Sequence, residues 1–405
     1  MVGTIRVPAE AEGSIRSAVE EVCDIGNIKF SAVSAGIKGE GLDLGLALFE
    51  IPFSFIGLYT RNRIKASHIH YAKKLEGRKI RALFVTSGCA NAATGKEGIE
   101  DLKRLARMIS ERTSLKEDEI LFASTGVIGK RLPIEKIADS IPFLVDNADP
   151  SKLEDFAYAM MTTDTYPKVL KRTFSGKKTY SILGVAKGAG MINPKLATML
   201  CFLFTDYPGK REVLVNPFRA YCRESFEKIT VDSETSTNDT VMLFFPEGEI
   251  DEKAYSIFTE TLKDLMRELA LLIVRDGEGA TKVIHIKVNG AKTKMAAQEI
   301  ARRIARSTLV KCAFFGNDPN WGRIIAAVGD TDITIRPERI SIKIEGMEVA
   351  KGGVETPFDE DELKRKLTSK EVEVEIDLGL GKASYEIYTT DLTYDYVKIN
   401  ASYRS

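Results

Sequence analysis

An α/β fold is predicted for this 405-residue chain from three features of its sequence. The unbroken apolar run Met199-Leu-Cys-Phe-Leu-Phe204 stops at Thr205-Asp-Tyr-Pro-Gly209, a length between turn signals that suits a strand buried on both faces. Other strand-like runs alternate with amphipathic helical stretches between residues 80 and 275. The length is also enough for two packed domains with a sizeable core.

Taken in order, residues 28–60 place short apolar runs (Leu44–Phe49, Phe55–Tyr59) among glycines and read as strands of a hairpin-rich sheet. The strand Arg81–Val85 runs into Thr86-Ser-Gly-Cys-Ala-Asn-Ala92. A helix follows, with Thr94 and Glu97 as a capping box and Ile99, Leu102, Ala106 and Ile109 on one stripe. Ile120–Thr125 is a strand entering the glycine turn Gly126-Val-Ile-Gly129. Ser151 and Glu154 cap a helix that delivers the chain to Met161-Thr-Thr-Asp-Thr165. Asn216-Pro217 reads as the start of a helix to about Ile229, and a long amphipathic helix runs from Asp251 to Arg275. Beyond it lie a strand around Ile284, a helix near 293–307, and the alternating strand Val372–Ile376.

Lys plus Arg and Asp plus Glu balance at 58 each, so no net field argues for nucleic acid or an anionic membrane as partner. The opening residues lack a basic stretch followed by an apolar one, and no apolar run reaches spanning length, so neither signal peptide nor membrane segment is expected. The five cysteines are scattered and never spaced Cys-x-x-Cys, which suits free thiols in a reducing cytoplasm. With only His68, His70 and His285, a histidine metal site or a hydrolase triad is poorly supplied. All three histidines read as solvated positions, and Cys89 as a packed small residue.

The chemistry concentrates in Val185-Ala-Lys-Gly-Ala-Gly-Met-Ile-Asn-Pro-Lys-Leu-Ala-Thr-Met-Leu200. Gly188 and Gly190 free the backbone for positive φ, and Pro194 stiffens the loop exit. Thr198 sits where this lysine-bearing loop meets the buried strand, and reads either as a nucleophile or as a strand-opening residue. The turn after Thr125 can aim a hydroxyl and backbone N–H groups into one site, or serve as a plain strand-to-helix turn. Three hydroxyls and a carboxylate at 161–165 face solvent or a ligand. Glu278, between two glycines, suits presentation to an ammonium; the Gly277–Lys282 stretch lacks phosphate-loop spacing.

Lys187-Gly-Ala-Gly-Met191, Pro194 and Ala197-Thr-Met-Leu200 resemble the ornithine acetyltransferases (glutamate N-acetyltransferases) of arginine biosynthesis. So do Ser-Thr125-Gly126-Val-Ile-Gly, the threonines near 162, Asp232–Asp239, Gly316–Arg323 and the terminal stretch, so the resemblance runs nearly end to end. Where the family usually has asparagines, this chain has Thr86 and Cys89. The resemblance implies self-cleavage between Ala197 and Thr198, with Thr198 as the nucleophile. It implies Thr125 and Gly126 as the oxyanion hole, and Thr162, Lys187, Thr198, Glu278, Asn400 and Ser405 as substrate-binding residues. The freed α-amine, with an ordinary pKa of about 7.7–8.0, would act as base for its own hydroxyl.

The implied reaction carries acetyl from N2-acetylornithine to glutamate, giving ornithine and N-acetylglutamate through an acetyl-threonine. No metal or bound cofactor is needed, and acetyl-CoA stays open as a second donor. The implied fold is a layered α/β sandwich of mixed sheets with helices outside, of the self-processing amidase kind. It would span 1–282, with a C-terminal α+β region at 283–405 whose tail returns to the site. The implied assembly is a heterotetramer of two 1–197 and two 198–405 chains. An aminopeptidase or amidase with an N-terminal nucleophile is the rival enzyme, and an uncleaved amino-acid-binding protein the rival of another class.

Overall fold

The computed structural model describes Ile25, residues 27–193 and residues 199–402; Ala197, Thr198 and Ser405 lie outside the described residues. Two compact units divide the chain: Met1–Glu227 with Thr235–Ile273, and Lys228–Glu234 with Val274–Ser405. The sequence places the boundary at 282/283, whereas the first unit gives up the chain at Ile273 and cedes the short segment 228–234.

In the first unit, strands β1 (Ile28–Val33), β2 (Leu44–Tyr59), β3 (Ile80–Cys89) and β4 (Ile120–Val127) share one mixed sheet with β5 (Lys168–Ser175), β6 (Thr179–Lys187), β7 (Leu200–Thr205) and β8 (Thr240–Phe245). The order is β4-β3-β2-β8-β7-β6-β5, with β1 paired to β2. The two apolar runs read as hairpin strands are one 16-residue strand. Its first part pairs with β3 and its last part with β8, and a register shift falls between Leu48 and Phe53. Pro52 and Glu50 fall inside that irregularity, where a missing donor and an exposed charge are tolerated.

The apolar run at 200–204 is buried throughout, as the sequence predicts, and sits between antiparallel β6 and parallel β8. Helices α1 (Ser67–Lys74), α2 (Glu97–Arg112), α3 (Ile134–Asp146) and α4 (Leu153–Met160) share one apolar core with the strands, in which Phe30, Phe49, Phe84, Phe122, Phe156 and Phe204 are buried. Helix α5 (Arg211–Glu224) and helix α6 (Tyr255–Arg275) follow.

Three helix starts differ from expectation. Helix α2 begins at Glu97 without a side-chain cap, because Thr94 bonds Asn91 instead. Asp149, not Ser151, caps the short turn that leads into α4. Helix α5 starts upstream of Pro217 and carries that proline inside it.

The second unit is a six-stranded sheet, ordered β12-β11-β10-β13-β9-β14. Its strands are β9 (Val283–Ala291), β10 (Ser341–Ile344), β11 (Met347–Lys351), β12 (Val354–Glu355), β13 (Glu371–Asp377) and β14 (Ala383–Thr390). Alternation along β13 buries Val372, Val374 and Ile376, as read from sequence. Helices α7 (Lys294–Ala305), α8 (Thr308–Phe315), α9 (Trp321–Gly329), α10 (Glu360–Lys366) and α11 (Tyr394–Ala401) complete the unit. Among the described residues, no helix is long and apolar enough to cross a membrane.

Candidate active site

The end of β6 is where the first unit gathers buried charge. Lys187 is its last ladder residue, paired with Leu200, two residues after Thr198 in the chain. Its ammonium donates to the Thr162 hydroxyl at 2.8 Å and the Thr125 hydroxyl at 3.2 Å, and lies 3.8 Å from Asp164. Because both threonine oxygens accept from Lys187, their hydroxyl protons are turned towards other acceptors.

Asp164 is the centre of this cluster. Its side chain is fully buried and accepts from Lys168 Nζ at 2.8 Å, the Gly188 N–H at 2.5 Å and the Thr162 N–H at 3.2 Å. Burial alone would push its carboxyl up, but Lys168, Lys187 and the Gly188 N–H together hold it well below the usual carboxylate range. Asp164 is therefore an anion that fixes one buried lysine and borders another.

A third cation enters from the loop between β1 and β2. Lys38 Nζ donates to the Met161 carbonyl at 2.8 Å, beside Thr162. Asp43 shapes that loop by accepting from the backbone N–H groups of Ala35, Ile37 and Lys38. Burial pushes the Lys38 ammonium down, against the pull of Asp43, and Lys187 adds to the lowering.

The turn expected after Thr125 is still strand, since β4 runs to Val127. Gly126 holds φ +125, and a Cβ there would lie 2.4 Å from the Gly88 carbonyl carbon, so only glycine lets β4 press against β3 at this point. Asn238 anchors the same strand from the 232–239 loop, donating to the Ser124 and Ala90 carbonyls at 2.6 and 2.7 Å. That loop, a polar stretch noted for its resemblance to a family motif, is thus a brace for the segment carrying Thr125. Cys89 is buried, donates its thiol to the Lys130 carbonyl, and burial pushes its pKa up, in line with a packing role.

His68 corrects the sequence reading. It lies on helix α1, is fully buried, and bonds Thr240 through Nε2 at 3.0 Å. Thr240 donates to the Asn238 carbonyl, so Nε2 carries the proton; burial pushes the imidazole pKa down to about 3 and keeps it neutral. His285 is half-buried: it stacks on Tyr388 and faces Glu373 and Glu386. Among the described residues no group of histidine, cysteine and acidic side chains is arranged to hold a metal ion.

In the second unit two expected residues meet: the Asn400 side-chain amide donates to Glu278 at 2.8 Å. Glu278 is buried, while Asn400 is exposed on helix α11. Gly279, at φ +64, brings its loop so close to this helix that a Cβ would lie 2.5 Å from the Tyr396 nitrogen, and Thr393 bonds the Gly279 carbonyl. Asp391 accepts from the N–H groups of Thr281 and Lys282 and closes the loop behind Glu278.

Of the sequence-predicted residues, Thr125, Thr162 and Lys187 form one contact set, and Glu278 and Asn400 another. Asp164, read from sequence as a carboxylate facing solvent or a ligand, is instead buried against Lys168. Lys38 and Lys168 were missed as site residues, and nothing near either in sequence marks it.

Residues 29–405 match the ArgJ family. The chain is 42% identical over 390 residues to the arginine biosynthesis bifunctional protein ArgJ of Syntrophotalea carbinolica, covering 94% of this chain and 99% of that protein. It is 42% identical over 381 residues to the glutamate N-acetyltransferase of Methanopyrus kandleri, covering 91% and 97%. A crystal structure of the ArgJ bifunctional protein from Bacillus halodurans aligns at 37% identity with a TM-score of 0.48, over 50% of this chain and 99% of that one.

Proposed function

We propose, from the premise that this chain belongs to the ArgJ family, that it transfers acetyl from N2-acetylornithine to glutamate through an ester on Thr198. The family membership carries the reaction class, acetyl transfer in arginine biosynthesis. The observation that supports the ester route is the Lys187–Thr125–Thr162 cluster, built on the ladder residue paired with Leu200.

In this reading the Thr198 hydroxyl first attacks the Ala197 carbonyl; the Ala197–Thr198 C–N bond breaks as the Thr198 nitrogen takes up the proton, which leaves an ester and a free α-amine. Water then hydrolyses the ester, giving the Ala197 carboxylate and the Thr198 hydroxyl, and leaves fragments 1–197 and 198–405. The freed α-amine takes the hydroxyl proton as Thr198 attacks the acetyl carbonyl of acetylornithine. The oxyanion is met by the Thr125 hydroxyl, already polarised by Lys187, and by the Gly126 N–H. Ornithine leaves with the proton, and the glutamate amine attacks the ester to give N-acetylglutamate.

Lys187 and Thr162 would hold the α-carboxylate common to both amino acids. Glu278, oriented by Asn400, would take an ammonium, with Ser405 in the closing tail. Two copies of each fragment in the cytoplasm and acetyl-CoA as a second donor remain part of the proposal by family analogy.

Purified protein given N2-acetylornithine and glutamate is expected to form ornithine and N-acetylglutamate, with parallel initial-rate lines as either substrate is varied. Intact mass is expected to show both fragments, and Thr198→Ala to give one uncut, inactive chain. Acetate released at the same rate with and without glutamate would make it a hydrolase and overturn the reading.

A further inference from the structure

Away from this cluster, a cavity of about 610 Å³ opens in the first unit where β2 ends, walled by Gly57, Tyr59 and Thr60. Five cations line it: Arg61, Lys65 and Lys73 from the segment after β2 and helix α1, and Arg219 and Arg223 from helix α5. The two acids in the lining are already engaged, Glu76 by Arg211 at 3.0 Å and Glu227 by Arg61 at 3.5 Å.

Arg219 and Arg223 stand four apart on helix α5, so they share a face and repel one another. Among the described residues neither has a carboxylate partner. Both are exposed on the helix surface, and with three further cations they make the cavity lining strongly basic. Tyr59 forms part of the wall: it is more than nine-tenths buried and its hydroxyl is sealed against Gly57, so the groups left to meet a ligand are the cations. Lys73 stands over the same ring, 5.7 Å from its centroid, and so covers the approach to it.

The guanidinium groups of Arg219 and Arg223 offer planar, paired donors that match phosphate oxygens, and two ammoniums add point charge, with Arg61 already shared with Glu227. The volume falls in the range of small-molecule sites. We propose that this cavity is a binding site for a small phosphorylated molecule with more than one phosphate charge, separate from the acetyl-transfer site.

The test is titration calorimetry of the wild-type protein with pyrophosphate, ATP and citrate, without acetyl donor or acceptor, so that it reads binding whatever the catalytic activity. Saturable binding of pyrophosphate or ATP is expected, weakening as salt is raised. Arg219→Ala with Arg223→Ala is expected to weaken it by about tenfold or more, as removal of paired charged hydrogen bonds should. Arg219→Lys with Arg223→Lys keeps the charge and the helix but removes the planar fork, and is expected to lose much of the same affinity. Tyr59→Phe, which changes only a sealed hydroxyl, is expected to leave the affinity unchanged. No saturable binding of either phosphate compound at millimolar concentration would overturn the proposal, as would unchanged affinity in both double variants. Citrate binding as tightly as pyrophosphate would overturn the phosphate assignment.

Discussion

The surroundings of the two groups of expected site residues hold their charges in opposite ways. Beside the end of β6, Asp164 and Lys168 are wholly buried; Lys168 donates to Asp164, which also accepts from the Gly188 and Thr162 N–H groups. In the second unit Glu278 is buried but its side-chain partner, Asn400, is an exposed amide on a terminal helix. A buried, fully bonded charge cannot relax, so the first group presents fixed hydroxyls; the second can exchange its neutral partner for a ligand cation. Fixed donors suit a developing oxyanion, and exchangeable ones suit a substrate that must enter and leave.

That contrast breaks hardest at Asp164. Replacing it by alanine leaves Lys168 buried without its counter-charge, and breaking a buried pair typically costs about 3–5 kcal/mol. Chemical denaturation is expected to show a loss of that size, with Thr162 and Gly188 freed and turnover lost. If stability falls by less than a surface pair would explain, the cluster is not a fixed scaffold. Acid reaches the same carboxylate more gently. Its folded pKa lies below the unfolded value of about 3.9, so its stabilisation is intact above that value and is lost as pH falls below it. The denaturation midpoint of wild type is therefore expected to keep falling below pH 4, with Asp164→Asn showing a flatter acid limb.

Thr125→Ala removes one preset donor without emptying the core. It is expected to lower kcat by roughly 10²–10³ while leaving the melting midpoint nearly unchanged. An equal rise in KM with kcat preserved would move Thr125 from oxyanion donor to substrate clamp. Asn400→Ala should have the smallest effect: one hydrogen bond to a charged group is lost, about 1.5–3 kcal/mol at most, and less because Asn400 is exposed. Its expected signature is a several-fold change in KM for the amino acids, read from initial rates, with stability within error. An effect as large as that at Asp164 would erase the distinction between the two groups.

Local pattern carried much of the fold into the sequence. The run ending at Phe204, the strand entering Thr125, the long helix to Arg275 and the alternation at 372–376 all fold as their periodicity reads. What was hidden depends on partners far away in the chain. Strand β2 looked like two because its register shift accommodates Pro52 and Glu50, which resemble a turn. Helix α5 absorbs Pro217, which looked like a start. His68 is buried by Thr240, distant in sequence, so nothing beside it announces its environment. The same holds for the site: Lys187 and Thr125 stand in recognisable motifs, whereas Asp164 gains its role only from Gly188 and two lysines.

The pairing of β6 with β7 has a thermodynamic consequence for a chain cut at 197/198. Strand β6 belongs to the earlier fragment and β7 to the later one, with hydrogen-bonded neighbours from Ile182 and Thr205 to Lys187 and Leu200; β2 and β8 make a second such junction. The first unit would then be built from both fragments under native conditions, joined by main-chain hydrogen bonds instead of a peptide link. Their separation would become a dissociation. The melting midpoint of the cut protein would rise with protein concentration, while that of an uncut Thr198→Ala chain, free of self-association, would not.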